Sequence, residues 1–308
     1  MRDIARELGC SRTAIGYAVL RLGRQAMAAH LALIAPSVRS DHLCFDGLVS
    51  ALASRDYPSQ ITTLADSHSE LVLSMTHCVT ERGGTRTRAQ KRRIEAHRRV
   101  WSPQTGALSE SIRLLIHELS RFAAPSQLLL DTDEHPIYRR LIADDLALRW
   151  YRQLHLLHHR TTSASAPRTA RHPLFLMNYL DRMIRHRLKE HTRESIALAR
   201  NATMQMHRMW LFAWDHNCCQ PRRVKLPHDP SRAEYAKIAP AALSSIKRSF
   251  FSRRISLRGL SIPHSMRQVW SASLPCPPLR WRTAQKHSGP TISAFALRDL
   301  AGSYPHAP

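Results

Sequence analysis

The sequence lacks the features that mark disulfide-rich, zinc-ribbon and membrane proteins. Its six cysteines include no C-x-x-C pair and suggest no disulfide framework, which argues against a structural zinc ribbon and a thioredoxin-type redox site. The adjacent pair Cys218 and Cys219 is predicted to be two core thiols. No stretch approaches 18 uninterrupted apolar residues, and no apolar signal segment opens the chain. These absences predict a soluble, cytoplasmic protein without a membrane partner.

Aromatic and acidic residues are also scarce. Aromatics make up 6% of the 308 residues and no RRM or KH signature is present, so an RNA-binding protein is the weakest of the hypotheses for a nucleic-acid partner. Only 23 Asp and Glu face 46 Lys and Arg, which gives a net charge of +23. Because cationic side chains that neutralise phosphates release condensed counterions, this excess predicts a polyanion partner associated with the nucleoid, namely double-stranded DNA.

Residues 2–24 predict two short helices around a glycine-containing turn, the pattern of a helix-turn-helix. Gly9 breaks the first helix, and Ser11 is a good N-cap for a second helix that runs from Arg12 to about Leu22. An ordinary helical hairpin is the alternative. If the motif binds DNA, four side chains face the groove or the backbone: Ser11, Arg12, Thr13 and Tyr17.

The next 180 residues predict an α/β domain. Three short strands are expected within 42–52, 60–66 and 70–79, a fourth at 127–131 and a fifth near 149–157. Helices are expected through 109–122, from about Pro136, and over 173–191, with a Ser/Thr/Ala/Arg loop at 160–171. This order of strands and helices is that of the ribonuclease-H-like fold, a mixed sheet flanked by helices.

Two segments carry most of the basic excess. Between residues 82 and 99, eight Lys and Arg face one acid, and from residue 196 onward 17 face four acids. We expect the first segment to contact DNA through Arg86, Arg88, Lys91, Arg92 and Arg93. The predicted organisation is a partial helix-turn-helix at 1–27, a ribonuclease-H-like domain at 40–220, and a basic, partly irregular region at 221–308.

Few acids lie at positions where burial of a carboxylate costs free energy. Asp46 lies in the apolar strand CFDGL, where an acid is costly unless it is paired or bound to a metal. Asp133 follows the fourth predicted strand, with Asp131 and Glu134 as competitors for the same role. Carboxylates on adjacent strands can hold two divalent cations, on the order of 3.5–4 Å apart, that activate one oxygen and stabilise another in phosphoryl transfer. For any single acid, helix capping or a surface charge remains the alternative.

The third acid is either Asp181 or Glu194. Thirteen residues of one helix would separate them by roughly 20 Å, so only one can share the site. Asp181 has Arg185 one turn below it, and Asn178 on the same face is a candidate auxiliary ligand. Glu194 has Arg193 beside it as a candidate ion-pair partner.

The segments CFDGL, TDEHPIY, HPLFLMNYLDRMIRH and HTRESIALARNATMQMHRMW, with IARELGCSRTAI before them, resemble bacterial insertion-sequence transposases with a DDE-type catalytic domain. The resemblance covers about residues 2–223. It implies metal-dependent DNA cleavage and strand transfer at element ends, with Asp46 and Asp133 as the first two acids. Its last helix favours Asp181 as the third, although the family usually has Glu there.

The sequence therefore predicts a transposase that holds two Mg²⁺ or Mn²⁺ ions through Asp46, Asp133 and Asp181. The alternative is a non-enzymatic DNA-binding protein, either a regulator or an inactive transposase remnant, in which the acids have structural roles. Self-association in the complex with DNA is left open.

Overall fold

A computed structural model of the chain describes residues 2–163, 165–167, 169–192, 197–223, 225–252, 255, 257 and 259–278. It is an α/β structure in which a mixed five-stranded sheet is flanked by helices on both faces. The expectation of five strands with Asp46 on the central one is confirmed. The strands are β1 (His42–Leu52), β2 (Ser54–Asp66), β3 (Val72–Val79), β4 (Leu128–Asp133) and β5 (Leu157–Thr162).

The sheet has the strand order β3-β2-β1-β4-β5. The first three strands form an antiparallel meander, with a tight connection at Ala53 (φ 59°) between β1 and β2. β4 and β5 each run parallel to their neighbour, and helices connect them. Leu43, Cys44 and Phe45 are all fully buried although consecutive side chains on a strand point to opposite faces, so β1 is covered on both sides.

Twelve α-helices surround the sheet within the described residues. One face carries α5 and α6, where Tyr138 packs edge-on against Phe45. The opposite face carries α8 and α9, and α2 packs along α9. The helices are α1 (Arg2–Glu7), α2 (Arg12–Ala29), α3 (Ala35–Ser37), α4 (Arg88–Arg98), α5 (Ala107–Leu119), α6 (Pro136–Asp144), α7 (Leu146–Gln153), α8 (Phe175–Arg187), α9 (Ala202–Trp214), α10 (Arg232–Tyr235), α11 (Pro240–Phe251) and α12 (His264–Trp270).

The N-terminal helices differ from the prediction in length. Ser11 is the N-cap of α2, where its hydroxyl accepts a hydrogen bond from the Ala14 amide at 3.1 Å. The helix does not end near Leu22, however. It continues to Ala29 and, through a π-helical turn at His30–Ile34, to Ser37, because the residues from Ala26 onward are buried apolar positions in the main core.

The fifth strand was predicted wrongly at 149–157. Residues Leu146–Gln153 form α7, which Asp145 caps by accepting a hydrogen bond from the Leu148 amide at 3.0 Å. Leu148 and Tyr151 are buried at helical spacing, and this packing overrides the β-forming side chains of the segment. The strand begins only at Leu157 and occupies the start of the predicted loop.

The region at 221–308, predicted to be basic and partly irregular, contains helices within its described part. α9 precedes this region and is almost wholly buried, while α11 and α12 bury Leu243, Phe250, Met266 and Val269 in the main core. The described part of the region combines helices with irregular segments, and residues 279–308 lie outside it.

All six cysteines are unpaired thiols, as expected. The prediction for the adjacent pair is half wrong: Cys218 is buried, but Cys219 is exposed. No helix among the described residues has both the length and the apolar character needed to cross a membrane.

Two glycines of α2 should respond oppositely to the same substitution. A Cβ on Gly23 would lie 2.7 Å from the Cβ of His207 on α9, whereas a Cβ on Gly16 meets nothing within 4 Å. We expect Gly23→Ala to lower the free energy of unfolding by about 1–3 kcal/mol through overpacking. Gly16→Ala should raise it by up to about 1 kcal/mol, since alanine has the higher helix propensity. Urea denaturation of both variants checks this, and equal shifts would contradict the close α2–α9 contact.

Candidate functional site

Asp46 and Asp133 lie on the same face of adjacent parallel strands. Cys44 of β1 is opposite Asp131 of β4, and each acid lies two residues further along its strand. Because side chains on a strand alternate between faces, residues two apart share a face, so both carboxylates project from the same side of the sheet. The Asp46 carboxylate accepts a hydrogen bond from the Gly47 amide at 2.7 Å, and Asp133 accepts one from the His135 amide at 2.8 Å.

Asp181 lies on α8, the helix that packs against β1 on this face. Its carboxylate is 4.0 Å from the guanidinium of Arg185, one helical turn along, as the spacing predicted. Arg185 also donates to the carbonyl oxygen of His191 at 2.9 Å and to that of Val49 at 3.5 Å. The arginine therefore connects the helix to the end of β1 and places Asp181 above this part of the strand.

The charges of all three acids act on the hydroxyl of Tyr138, which packs against Phe45 on the other face of β1. Burial is the largest cause of the raised pKa of this hydroxyl, and the charges of Asp46, Asp133 and Asp181 raise the pKa further. The three carboxylates therefore act on a single buried phenol.

Two buried threonines flank the acids across the sheet. Thr63 of β2 is opposite Asp46, and Thr162 of β5 is opposite Asp133. Their hydroxyls are buried and have no hydrogen-bond partner among the described residues, an unusual condition for a buried polar group. Together with the carboxylates they provide only hard oxygen ligands, which is the donor chemistry that Mg²⁺ and Mn²⁺ prefer.

The three carboxylates do not form a preorganised metal-binding site. Within the part of the chain that the structure describes, no group of three or more His, Cys, Asp or Glu is arranged so that it could hold a metal ion. Glu194, the alternative third acid, lies outside the described residues, as does its predicted partner Arg193. Asn178, the candidate auxiliary ligand, donates its side-chain amide to the Leu174 carbonyl oxygen at 2.9 Å.

The two competitors of Asp133 make structural contacts. Asp131 is fully buried and accepts hydrogen bonds at 2.7 Å from Arg160, which donates twice, and from His42. Burial alone would raise the pKa of Asp131, but the hydrogen bonds from His42 and Arg160 outweigh burial and hold that pKa below its ordinary value. Glu134 accepts a hydrogen bond from the Ser163 hydroxyl at 3.1 Å, and the side chain of His135 caps α6.

The predicted DNA-contacting residues divide into exposed and paired ones. In the N-terminal helices Ser11, Arg12, Thr13 and Tyr17 are all exposed, as are Arg88, Lys91 and Arg92 of the basic run. The remaining two form ion pairs within the chain. Arg86 binds Glu81 at 2.6 Å, and Arg93 donates two hydrogen bonds to the buried carboxylate of Asp56. The Arg93 pair fastens the basic segment to β2, and the Arg86 pair is formed within the connection that follows β3.

A basic cavity lies next to α8 and was not predicted from the sequence. It has a volume of about 750 Å³ and lies on the same face of the sheet as the acids, where His42 and Arg160 line it. Arg222, Arg223 and Lys225 line its other side. The cluster PRRVK at 221–225 was a signal for a cationic surface, but the sequence offered no means of placing it beside β1 and β5.

Comparisons with known proteins add no family to these observations. No known protein-family model matches the chain, and no curated protein matches it either. What the site does must therefore follow from its geometry and chemistry.

Proposed function

We propose that the chain is a DNA transposase that cleaves and joins DNA by metal-dependent phosphoryl transfer. The observation that carries this proposal is the grouping of Asp46, Asp133 and Asp181 on one face of the sheet, within electrostatic reach of the Tyr138 hydroxyl. Acids are costly near a buried strand unless they have a function or a partner. In a chain with a net charge of +23, a concentration of carboxylates indicates a cation site within a basic surface.

The strand order supports a ribonuclease-H-like catalytic domain. An antiparallel meander of three strands followed by two parallel strands, joined through helices, is the order expected for that fold. The acids occupy the middle of the first strand and the end of the fourth, and a later helix carries the third. Fold alone does not establish an activity, so the proposal depends on the acids and not on the sheet.

Two ions, Mg²⁺ or Mn²⁺, would be held by Asp46, Asp133 and Asp181, with the hydroxyls of Thr63 and Thr162 close by. When bound, such ions activate the attacking oxygen and stabilise the leaving oxygen. Mg²⁺ usually keeps several waters and is bound through one or two carboxylates together with substrate phosphates. A site without a complete protein cage is therefore consistent with ions that bind together with DNA.

The N-terminal helices support a role in recognising DNA. α1 and α2 are joined at Gly9 (φ 59°), and exposed polar side chains cluster at the start of α2. A helix-turn-helix presents the first residues of its second helix to the bases. Ser11, Arg12, Thr13 and Tyr17 would make these contacts, while the exposed cations of α4 (Arg88, Lys91 and Arg92) would bind phosphates.

A cleavage assay on the DNA that flanks the gene tests the activity. We expect the purified protein to cut this DNA at defined positions with Mg²⁺ or Mn²⁺ and to leave it intact when EDTA removes the metal. A scrambled duplex of the same length and composition is the control. Cleavage that continues in EDTA, or that occurs equally on the scrambled duplex, would contradict a metal-dependent, end-specific enzyme.

The second candidate is a non-enzymatic DNA-binding protein, such as a regulator or an inactive transposase remnant. The absence of a preformed metal-binding group among the described residues favours it. This protein would bind the flanking duplex with a steep dependence on salt, about −0.9 in log–log slope per neutralised phosphate, yet would cut it with neither metal. Binding without cleavage therefore selects this candidate.

A further inference from the structure

The basic cavity next to α8 has a strongly cationic lining. Arg160, Arg171, Arg222, Arg223 and Lys225 contribute to its wall, and Glu70 is the only acid that does so among the described residues. Its volume of about 750 Å³ is in the range of pockets that accept small molecules, on the order of 300–1,000 Å³. A cavity of this size and charge attracts anions.

Only some of these cations form ion pairs within the described part of the protein. Arg160 is held by the buried carboxylate of Asp131, and Arg222 binds Glu70 at 3.1 Å while it stacks over the ring of Tyr235. Arg171, Arg223 and Lys225 are exposed, and within the described part of the chain none of them forms an ion pair. Three cations are therefore available to a ligand.

A helix N-terminus also borders the cavity. The start of α8, a helix of 13 residues, lines it at Pro173, Phe175 and Leu176, and no side chain caps the helix. The Phe175 amide donates to the His172 carbonyl oxygen at 2.8 Å, which leaves the Leu176 amide for a ligand. A helix N-terminus favours a negatively charged group through its amides and its dipole. Three exposed cations and a helix N-terminus therefore border one space.

Aromatic side chains in the cavity wall are suited to stack against a nucleic-acid base. Phe175 and Tyr179 contribute aromatic surface to the same cavity, and bases stack on aromatic rings in sites that track a nucleic-acid strand. His42 on the cavity wall and Asp46 share a face of β1 and are four residues apart, roughly 13 Å.

We propose that the basic cavity binds a phosphate and the adjoining base of a nucleic-acid strand that passes over the three acids roughly 13 Å away. The choice of nucleic acid as the source of the phosphate rests on the proposed function. The anion chemistry of the cavity rests on its own residues. Arg171, Arg223 and Lys225 would neutralise the phosphate, and the N-terminus of α8 would donate hydrogen bonds to it.

The test measures binding without metal, so that it does not depend on cleavage. The full chain is titrated in EDTA with a labelled 12-nucleotide single strand, with the same strand carrying an uncharged methylphosphonate backbone, and with inorganic phosphate as a competitor. The cavity variant is Arg223→Gln with Lys225→Gln. The control is Arg149→Gln with Arg248→Gln, which removes the same charge from exposed positions on α7 and α11 outside the cavity.

We expect the cavity variant to bind the strand at least about tenfold more weakly than the control. Its log–log salt slope should be shallower by up to about 0.7, since the one phosphate held in the cavity contributes about 0.7 for a single strand. The uncharged strand should not distinguish the two variants. Equal affinity and equal slope for the two double variants would overturn the proposal. If the cavity variant loses affinity for inorganic phosphate to the same extent, and the protein does not prefer the strand over inorganic phosphate, the assignment of the cavity to nucleic acid would be overturned. If the cavity variant loses binding while the wild type cuts no DNA with either metal, the cavity proposal stands and the transposase proposal fails.

Discussion

Asp46→Asn and Asp133→Asn should each lower metal-dependent cleavage by about 1,000-fold or more while DNA affinity stays at or slightly above that of the wild type. The amide keeps the shape of the side chain but removes the anionic ligand that would hold the ion in the proposed site, and such an ion would stabilise the transition state by several kcal/mol. At about 1.4 kcal/mol per factor of ten, a loss of 4 kcal/mol corresponds to this reduction. Removing a negative charge also reduces the repulsion of phosphate. Single-turnover cleavage and a binding titration in EDTA measure the two effects separately.

Asp131→Asn is the matched control for these variants. Asp131 shares the face and the strand of Asp133 but is fully buried and bound to Arg160 and His42. We expect this substitution to lower the free energy of unfolding, because the Arg160 guanidinium loses a buried carboxylate partner. Cleavage per folded molecule should change little. If Asp131→Asn reduces cleavage as much as Asp133→Asn does and leaves stability unchanged, the role of the second acid would be assigned to Asp131.

The same assay identifies the third acid. If Asp181 has this role, Asp181→Asn should match the Asp46 variant and Glu194→Gln should be mild. The opposite ranking would assign the role to Glu194. Unchanged cleavage in all four acid variants of an active protein would contradict the metal site altogether.

The sheet and the strand positions of Asp46 and Asp133 could be predicted from sequence because local signals for them are strong. The apolar, β-branched runs around Asp46 and before Asp133 predict buried strands, and an acid in such a run stands out. Strand order then follows from the short connection between β1 and β2 and from the helices that link the parallel strands. The position of Asp133 beside Asp46 needed the register, which no local pattern contains.

Other features depend on contacts between distant segments and could not be predicted. α2 extends past Leu22 because its C-terminal half packs along α9, about 180 residues further on. The basic cavity joins residues of β1, β5 and the segment around Arg222, and the orphaned hydroxyls of Thr63 and Thr162 become apparent only across the sheet. The 19 histidines gave no hint of which of them are buried, since histidine is common both inside and outside proteins.

Acid should unfold this protein in the range from about pH 6.5 to pH 4. Burial is the largest cause that lowers the pKa of five histidines, to about 3 for His30 and His216 and about 4 for His77, His191 and His207. The unfolded chain has an ordinary histidine pKa near 6.5 and so binds more protons than the folded protein below that pH. Stability therefore falls as pH falls, by about 2 kcal/mol per histidine at pH 5. Five such groups together are comparable with the 5–15 kcal/mol that typically stabilises a folded protein.

Urea denaturation at pH 7.5, 6.0 and 5.0 measures this loss, and two histidine variants isolate its cause. Glu118 acts against this loss of stability. Burial raises the pKa of its carboxyl, so the proton that it binds in the folded state adds stability at low pH. Glu118 is one group, however, against several histidines. In His207→Leu the slope of the free energy of unfolding against pH should decrease by about one proton between pH 6 and pH 5, because a leucine takes up no proton on unfolding. His228→Leu, at an exposed position, should leave the slope unchanged. A wild-type stability that is flat from pH 7.5 to pH 5 would mean that these histidines are hydrated in solution, and equal slopes for His207→Leu and the wild type would show that His207 is not among the groups that bind protons on unfolding.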